Sequence, residues 1–295
     1  MARPFIKWVG GKTQLLPEIR QRYPDNITRY CEPFVGGGAV LFDVLQGHHP
    51  QEVLINDINP ELINLYETIR DNCEPLIQLL EQFQIEYQET PADERQNLYL
   101  GKRATYNHYI LEHTPLHNLE KAALFIYLNK TCFNGLYRVN RNGLFNVPFN
   151  KAVNPLICDA ENLRECSLLL QNVQMHVGDY SYCNNFIDGN TFVYLDPPYR
   201  PLTVSSSFTS YNENGFGDIQ QIELGNFITE IAHRGAFVVA SNSDPRNADE
   251  QDDFFDNLYA DFNIERVQAS RMINSNARRR GPINELLISN IAAVF

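Results

Sequence analysis

The segment from residue 29 to residue 66 constrains the fold more than any other. Residues 29–35 read as a strand that runs into Gly36-Gly37-Gly38, and a helical stretch follows from Ala39 to about Leu45. Glu52-Val-Leu-Ile-Asn-Asp57 reads as a second strand, and Asn59-Pro60 opens a helix with Asn59 as N-cap and Pro60 at the first helical position. A strand, a glycine turn, a helix and a second strand in this order form the opening of a nucleotide-binding α/β domain. Strand patterns return at 173–179, 191–195, 236–242, 261–270 and 285–290, with a helix at about 218–233.

Between these groups of strands the apolar period changes. Leu62, Leu65, Tyr66 and Ile69, and later Leu124, Tyr127 and Leu128, recur at three and four, which predicts helices from about 61 to 130. Residues 136–147 hold two short extended runs around Asn142-Gly143, the strongest local signal for a hairpin. The expected architecture is an α/β, Rossmann-like core of residues 1–60 and 154–295, interrupted by a helical unit at 61–153 that ends in a β-hairpin.

With 295 residues, 43% of them hydrophobic, the chain can fill such a core. Apolar runs such as Leu124–Leu128 and Ala236–Ala240 are core-sized, so no membrane span is expected. The opening residues lack a signal-peptide apolar region, and six cysteines without a C-x-x-C pair read as reduced thiols, which makes a cytoplasmic protein the expectation. A net charge of -12 disfavours a polyanionic partner when taken whole. The distribution points the other way: residues 1–31 carry six Lys/Arg against two acids, 129–151 four against none, and 266–280 five against none. A basic stripe on an acidic body suits DNA if the three segments converge; scattered solvated patches are the plainer alternative.

The chemistry concentrates at Asp196-Pro197-Pro198-Tyr199, which follows the buried-strand pattern of Thr191–Leu195. Two prolines fix φ and supply no N–H, so carbonyls here are held out of the ladder. The strand tip therefore offers an acceptor carboxylate, an acceptor carbonyl and a flat ring, a setting for a planar amino-bearing group such as a nucleobase. A simple strand exit in which the acid caps and the ring packs is the plain alternative. Gly36 and Gly38 permit a ligand to approach the backbone closely. Asp57, 21 residues beyond Gly36 at the next strand tip, is placed to accept both ribose hydroxyls. Gly10-Gly11-Lys12-Thr13 is not a phosphate loop, because Ile6 stands where a glycine is required and no strand precedes it. A ribose-binding acid without a phosphate motif fits a nucleoside cofactor lacking phosphates, S-adenosyl-L-methionine above all, with Lys12 as the cation for its carboxylate and Trp8 able to pack over it. His113 and His117 flank Pro115 and find no third ligand, so no metal site is expected.

The sequence resembles the Dam-type DNA adenine methyltransferases over nearly its whole length, in the blocks at 5–12, 32–38, 56–59, 133–136, 145–148, 196–199 and 285–287. The resemblance implies a Rossmann-like, S-adenosylmethionine-dependent methyltransferase core with an inserted target-recognition domain, acting on adenine in double-stranded DNA. It implies GATC as the target, with a GATATC-like site as the alternative target and a catalytically inactive DNA-binding regulator as the alternative function. It further implies Trp8, Lys12, Asp57 and Asp196 as cofactor contacts, with Glu32 and Phe34 lining that pocket and Asp179 near the cofactor adenine. Phe133 and Asn134 are expected to wedge at a base step, Leu136, Arg138 and Pro148 to read base edges, and Lys7 to contact a guanine. Lys151 and the basic block carrying Arg271 and Arg278 are expected at the DNA. Relatives commonly carry Gly-Arg-Tyr-Lys where this chain has Asn150-Lys151-Ala152-Val153, so one aromatic base contact is missing. The family includes solitary enzymes and partners of restriction endonucleases, so a cognate endonuclease on the same site is an expected partner, none being required.

In this reading Asp196 and the Pro197 carbonyl accept the amino hydrogens of a flipped adenine, Tyr199 stacks on the base, and residues 205–211 close over it. An amide methyltransferase, the nearest rival, favours Asn at the first tetrad position and lacks the insertion.

Overall fold

The computed structural model describes residues 1–200, 216–270 and 282–291. Its strands are β1 (Arg29–Glu32), β2 (Glu52–Asp57), β3 (Val173–Val177), β4 (Thr191–Leu195), β5 (Phe237–Ser243), β6 (Asn263–Ser270) and β7 (Pro282–Ser289). Nine α-helices fall among the described residues: α1 (Leu16–Arg20), α2 (Ala39–His48), α3 (Pro60–Asp71), α4 (Cys73–Glu89), α5 (Arg95–Leu111), α6 (Asn118–Thr131), α7 (Ala160–Leu170), α8 (Asp218–His233) and α9 (Phe254–Leu258). None is long and apolar enough to cross a membrane.

The sheet has seven strands in the order β3-β2-β1-β4-β5-β7-β6. β2, β1, β4 and β5 run parallel, and β7 lies antiparallel between β5 and β6. A parallel strand is covered on both faces, which is why all five residues of β4 are buried and its sequence shows no polar alternation. β1 ends at Glu32, three residues short of the expected Val35. Pro33 supplies no N–H to a ladder, and the Val35 N–H turns to the Asn56 carbonyl at 3.0 Å. From β1 the chain steps to β2 on one side, while β4 lies on the other. The carboxyl ends of β1 and β4 therefore flank a topological switch point, where open α/β sheets bind ligands.

The contacts divide the chain into two compact units. One comprises residues 12–35, 47–58 and 178–295. Its core sets Val193, Leu195, Val238, Ala240, Leu286 and Ile288 of the sheet against Leu224, Ile228 and Ile231 of α8, with Phe255 and Tyr259 from the α9 region.

The other unit comprises residues 1–11, 36–46 and 59–177, so the helical insertion groups with two segments that precede it and with residues 154–177. Asn59 caps α3 as its sequence requires, its Oδ1 accepting from the N–H groups of Glu61 and Leu62. α6 is buried almost all round, including Lys121 and Asn129, which marks it as the central helix of the unit. α7 was not foreseen: its buried apolar residues are Leu163, Cys166 and Leu170, a short stripe that becomes a helix by packing on α3.

The expected hairpin forms in reduced shape. Val139 and Phe145 make a single antiparallel bridge, flanked by bonds from Asn140 N–H to the Leu144 carbonyl (2.8 Å) and from Asn146 N–H to the Arg138 carbonyl (3.0 Å). Side chains divert the groups that longer strands would pair. Asn140 Oδ1 takes the N–H groups of Asn142 and Leu144, and Asn107 Oδ1 on α5 takes that of Phe145 at 2.9 Å.

Candidate active site

β4 delivers Asp196 just beyond its carboxyl end. Asp196 Oδ2 lies 2.7 Å from Lys12 Nζ, and its Oδ1 accepts from Ser241 Oγ at 3.0 Å. Lys12 is only 4% exposed, and a cation so buried needs a counter-charge. Its ammonium also stands 4.9 Å from the centroid of the Tyr199 ring. Tyr199 Oη donates to Glu285 Oε2 at 2.7 Å. Burial, then the charges of Asp196 and Glu285, push this hydroxyl well above the ordinary tyrosine range, so it keeps its proton and remains the donor.

The rest of the tip is tethered from α8. The Pro198 carbonyl accepts from Gln221 Nε2 at 3.0 Å, and Gln221 Oε1 accepts from Asn242 Nδ2 at 3.1 Å. Arg200 is held by Asp218 (2.6 Å) and Asp252 (2.5 Å). Among the described residues no hydrogen bond reaches the Pro197 carbonyl. The tip therefore presents a fixed carboxylate and a carbonyl that the prolines keep out of the ladder, beside a ring anchored through its hydroxyl.

The carboxyl ends of β1 and β2 are stitched together by Asn56. Its Nδ2 donates to the carbonyls of Pro33 (3.0 Å) and Gly178 (2.9 Å), and Gly178 N–H donates to the Asp57 carbonyl (3.1 Å). Asp57 and Asp179 thus sit on adjoining turns, Asp57 half-buried and Asp179 exposed. Glu32 is buried and accepts from Tyr30 Oη at 2.7 Å. Phe34 packs on Tyr180 with ring centroids 5.5 Å apart and meets Phe216 edge-on.

In the other unit the glycine turn is shaped by protein packing. A Cβ at Gly36 (φ +47°) would lie 2.8 Å from Trp8 Cδ1, and one at Gly38 (φ +70°) would lie 2.4 Å from Tyr66 Oη. Tyr66 Oη in turn donates to the Gly36 carbonyl at 3.0 Å. Trp8 is half-buried, stacked on Tyr137 at 5.8 Å. Both glycines are therefore required by the two aromatic residues that brace the turn.

The same unit brings Lys7 to the turn at the end of α6. Asn129 Oδ1 accepts from Lys7 N–H at 2.9 Å, and its Nδ2 donates to the carbonyls of Lys7 and Gly135, both at 2.9 Å. Phe133 is 51% exposed, Asn134 is left-handed at φ +57°, and Phe133 N–H donates to the Pro148 carbonyl at 2.8 Å. Asn134, Arg138, Pro148 and Lys151 are exposed and Leu136 is half-buried. Arg138 Nε is held by Asn146 Oδ1 at 2.6 Å. Several basic residues of the proposed stripe are spent internally: Arg3 on Asp159, Arg22 on Glu265, Arg29 on Glu52, and Arg266 on Asp244 and Asp256. Arg271, Arg278 and the 205–211 segment lie outside the described residues.

Sequence reasoning missed Ser241, Asn242 and Gln221. The signal was present in Ser241-Asn-Ser-Asp244, a polar run that ends an otherwise apolar buried strand and is itself buried throughout. Buried polar groups tend to be bonded to something; here Ser241 bonds Asp196, Asn242 reaches the Pro198 carbonyl through Gln221, and Asp244 pairs with Arg266.

The family profile described as D12 class N6 adenine-specific DNA methyltransferase matches residues 8–273. The chain is 43% identical to the Type II methyltransferase M.MjaIII of Methanocaldococcus jannaschii over 98% of this chain and 99% of that protein. It is 38% identical to the Type II methyltransferase M1.LlaDCHI of Lactococcus lactis subsp. cremoris, over 98% and 95%. It is 31% identical to the DNA adenine methylase of Haemophilus influenzae, over 97% and 92%. Family membership carries with it a methyl donor and DNA as the acceptor. With a profile match across most of its length and relatives aligned almost end to end, this chain belongs to the D12 class of N6 adenine-specific DNA methyltransferases.

Proposed function

We propose that the protein transfers the methyl group of S-adenosyl-L-methionine to the amino nitrogen of an adenine flipped out of double-stranded DNA, within GATC. The observation that carries this reading is the nitrogen already held at the strand tip. Lys12 Nζ, tetrahedral and cationic, lies 2.7 Å from Asp196 and 4.9 Å from the Tyr199 ring. An adenine amino nitrogen becomes tetrahedral and cationic as it gains a methyl group, so a site suited to an ammonium is suited to that transition state.

The donor set fits the cofactor. Asp57 suits ribose hydroxyls and Lys12 a carboxylate; Trp8, Glu32, Phe34 and Asp179 are assigned to the same cofactor by family resemblance, and Gly36 and Gly38 by the close backbone approach that a glycine turn permits. When bound, the cofactor supplies an electrophilic methyl on a sulfonium. Asp196 and the Pro197 carbonyl accept the amino hydrogens, which directs the nitrogen lone pair away from the purine ring. Flipping the base costs a few kcal/mol, and stacking on Tyr199 returns about 1–3 kcal/mol. The amino group would compete with Lys12 for Asp196, and Lys12 would hold the cofactor's carboxylate.

Residues 61–153 act as the target-recognition domain, with Phe133 and Asn134 wedging the base step, Lys7, Leu136, Arg138 and Pro148 at base edges, and Lys151 near phosphate. The exposure of all of them but the half-buried Leu136 supports this assignment. Arg271 and Arg278 are assigned to DNA by resemblance alone. The names of the two Type II relatives support a cognate restriction endonuclease sharing the site. Labelled S-adenosyl-L-methionine with plasmid DNA, followed by sequencing of the modified base, tests the proposal. Label in N6-methyladenine at GATC is expected; label in adenine elsewhere overturns the target alone, and no label in adenine overturns the function.

A further inference from the structure

We propose that Ser241 and Tyr194 are positioning residues that fix the orientation of the Asp196 carboxylate before substrate arrives. The inference rests on the acceptor role given to Asp196. Tyr194 Oη lies 3.0 Å from Ser241 Oγ, which lies 3.0 Å from Asp196 Oδ1. An ionised carboxylate can only accept, so the single Ser241 hydrogen points to Asp196 and Tyr194 must donate to the serine oxygen. The direction of the whole chain is thereby set, Tyr194 to Ser241 to Asp196.

The backbone builds this relay. Tyr194 and Asp196 are two apart along one extended segment and so share a side of it. β5 pairs parallel with β4 in the register Tyr194 to Val239 and Leu195 to Ala240, which brings Ser241 level with Asp196. Tyr194 is 1% exposed and Ser241 is 0% exposed, so water offers neither hydroxyl a substitute partner. Burial, followed by the Asp196 charge, raises the Tyr194 hydroxyl well above its usual range and keeps it a donor. With Oδ1 held by Ser241 on β5 and Oδ2 by Lys12, the protein's own groups and not the ligand orient the carboxylate. Preorganisation of this kind strengthens an acceptor without cost at the moment of reaction.

Single-turnover methyl transfer, measured beside equilibrium binding of S-adenosyl-L-methionine and of duplex DNA, tests the proposal. Ser241→Ala should lower the rate constant about tenfold, the scale of one hydrogen bond to a charged group, while both affinities stay within about twofold. Tyr194→Phe should lower it about threefold, and the double variant should be no slower than Ser241→Ala, because the two act through one carboxylate. Unchanged rate constants with lowered melting temperatures, or effects that simply multiply, would overturn the relay. If Ser241→Ala does not fold, Tyr194→Phe decides, and a wild-type rate there overturns it. Asp196→Ala in the same assay separates the two claims. A wild-type rate in that variant removes the acceptor role itself, whereas a large loss there beside unaffected Ser241→Ala and Tyr194→Phe removes the relay alone.

Discussion

A single methyl group at Gly38 should disable the glycine turn. Gly38 has φ +70°, and a Cβ there would lie 2.4 Å from Tyr66 Oη, 3.3 Å from Phe42 Cε2 and 3.4 Å from Tyr66 Cζ. Alanine in the left-handed region costs about 1–2 kcal/mol. The methyl must also push away a fully buried tyrosine whose hydroxyl donates to the Gly36 carbonyl, and stranding that hydroxyl costs about 1–3 kcal/mol more. Gly38→Ala should therefore destabilise the fold by roughly 2–5 kcal/mol, read as a lowered midpoint in urea unfolding, and should weaken cofactor binding. Adding Tyr66→Phe removes the atom that clashes, so the double variant should be more stable than Gly38→Ala alone. Gly47→Ala is the control: that glycine lies in α2 with no atom within 4 Å of an added Cβ, and alanine there should be neutral or stabilising by up to about 1 kcal/mol. A Gly38→Ala cost under about 1 kcal/mol, or further loss on adding Tyr66→Phe, would refute the packing argument.

Other consequences are open to direct test. Tyr199→Ala should weaken capture of the flipped base while cofactor binding persists, so unchanged kinetics on duplex DNA would count against stacking. Arg138→Ala should relax preference at one base position by about 1–3 kcal/mol in binding to a panel of variant duplexes; a uniform loss across the panel would make it a phosphate contact instead. Burial pushes the Cys132 thiol up from 9.0 to about 11. The unfolded chain therefore ionises first, and the stability tied to this group is intact below about pH 9 and lost as pH rises through 11. Urea midpoints between those limits should fall less steeply in Cys132→Ala than in the parent, and parallel slopes would exclude the effect.

Much of the fold was legible because local and tertiary preferences coincide. β2, β4 and α8 fall within a residue of their expected bounds, since an apolar run between turn residues has one good use in a parallel sheet. Asn59 and Pro60 announced the start of α3 through cap chemistry alone. α7 escaped because three apolar residues on a short helix gain their meaning only from α3 beside them. The hairpin's strands were shortened by Asn107 and Asn140, whose side chains compete with the ladder in ways that spacing cannot reveal. At the candidate site, the tetrad and its acid were visible as a motif. The partners that hold it lie 23 or more residues away in sequence, Ser241 and Glu285 placed by sheet register and Gln221 by the packing of α8. Lys12 was read as the cation for the cofactor's carboxylate; in the structure it pairs with Asp196, a partner that the sequence reading did not assign to it.

The proposed chemistry requires the β4 tip to grip the nitrogen that receives the methyl group. Rapid-quench single-turnover transfer to duplex DNA by Asp196→Ala, set beside the parent protein, measures this directly. The grip predicts a loss of about 100-fold or more, the scale of removing a transition-state electrostatic partner; transfer at close to the parent rate would contradict it.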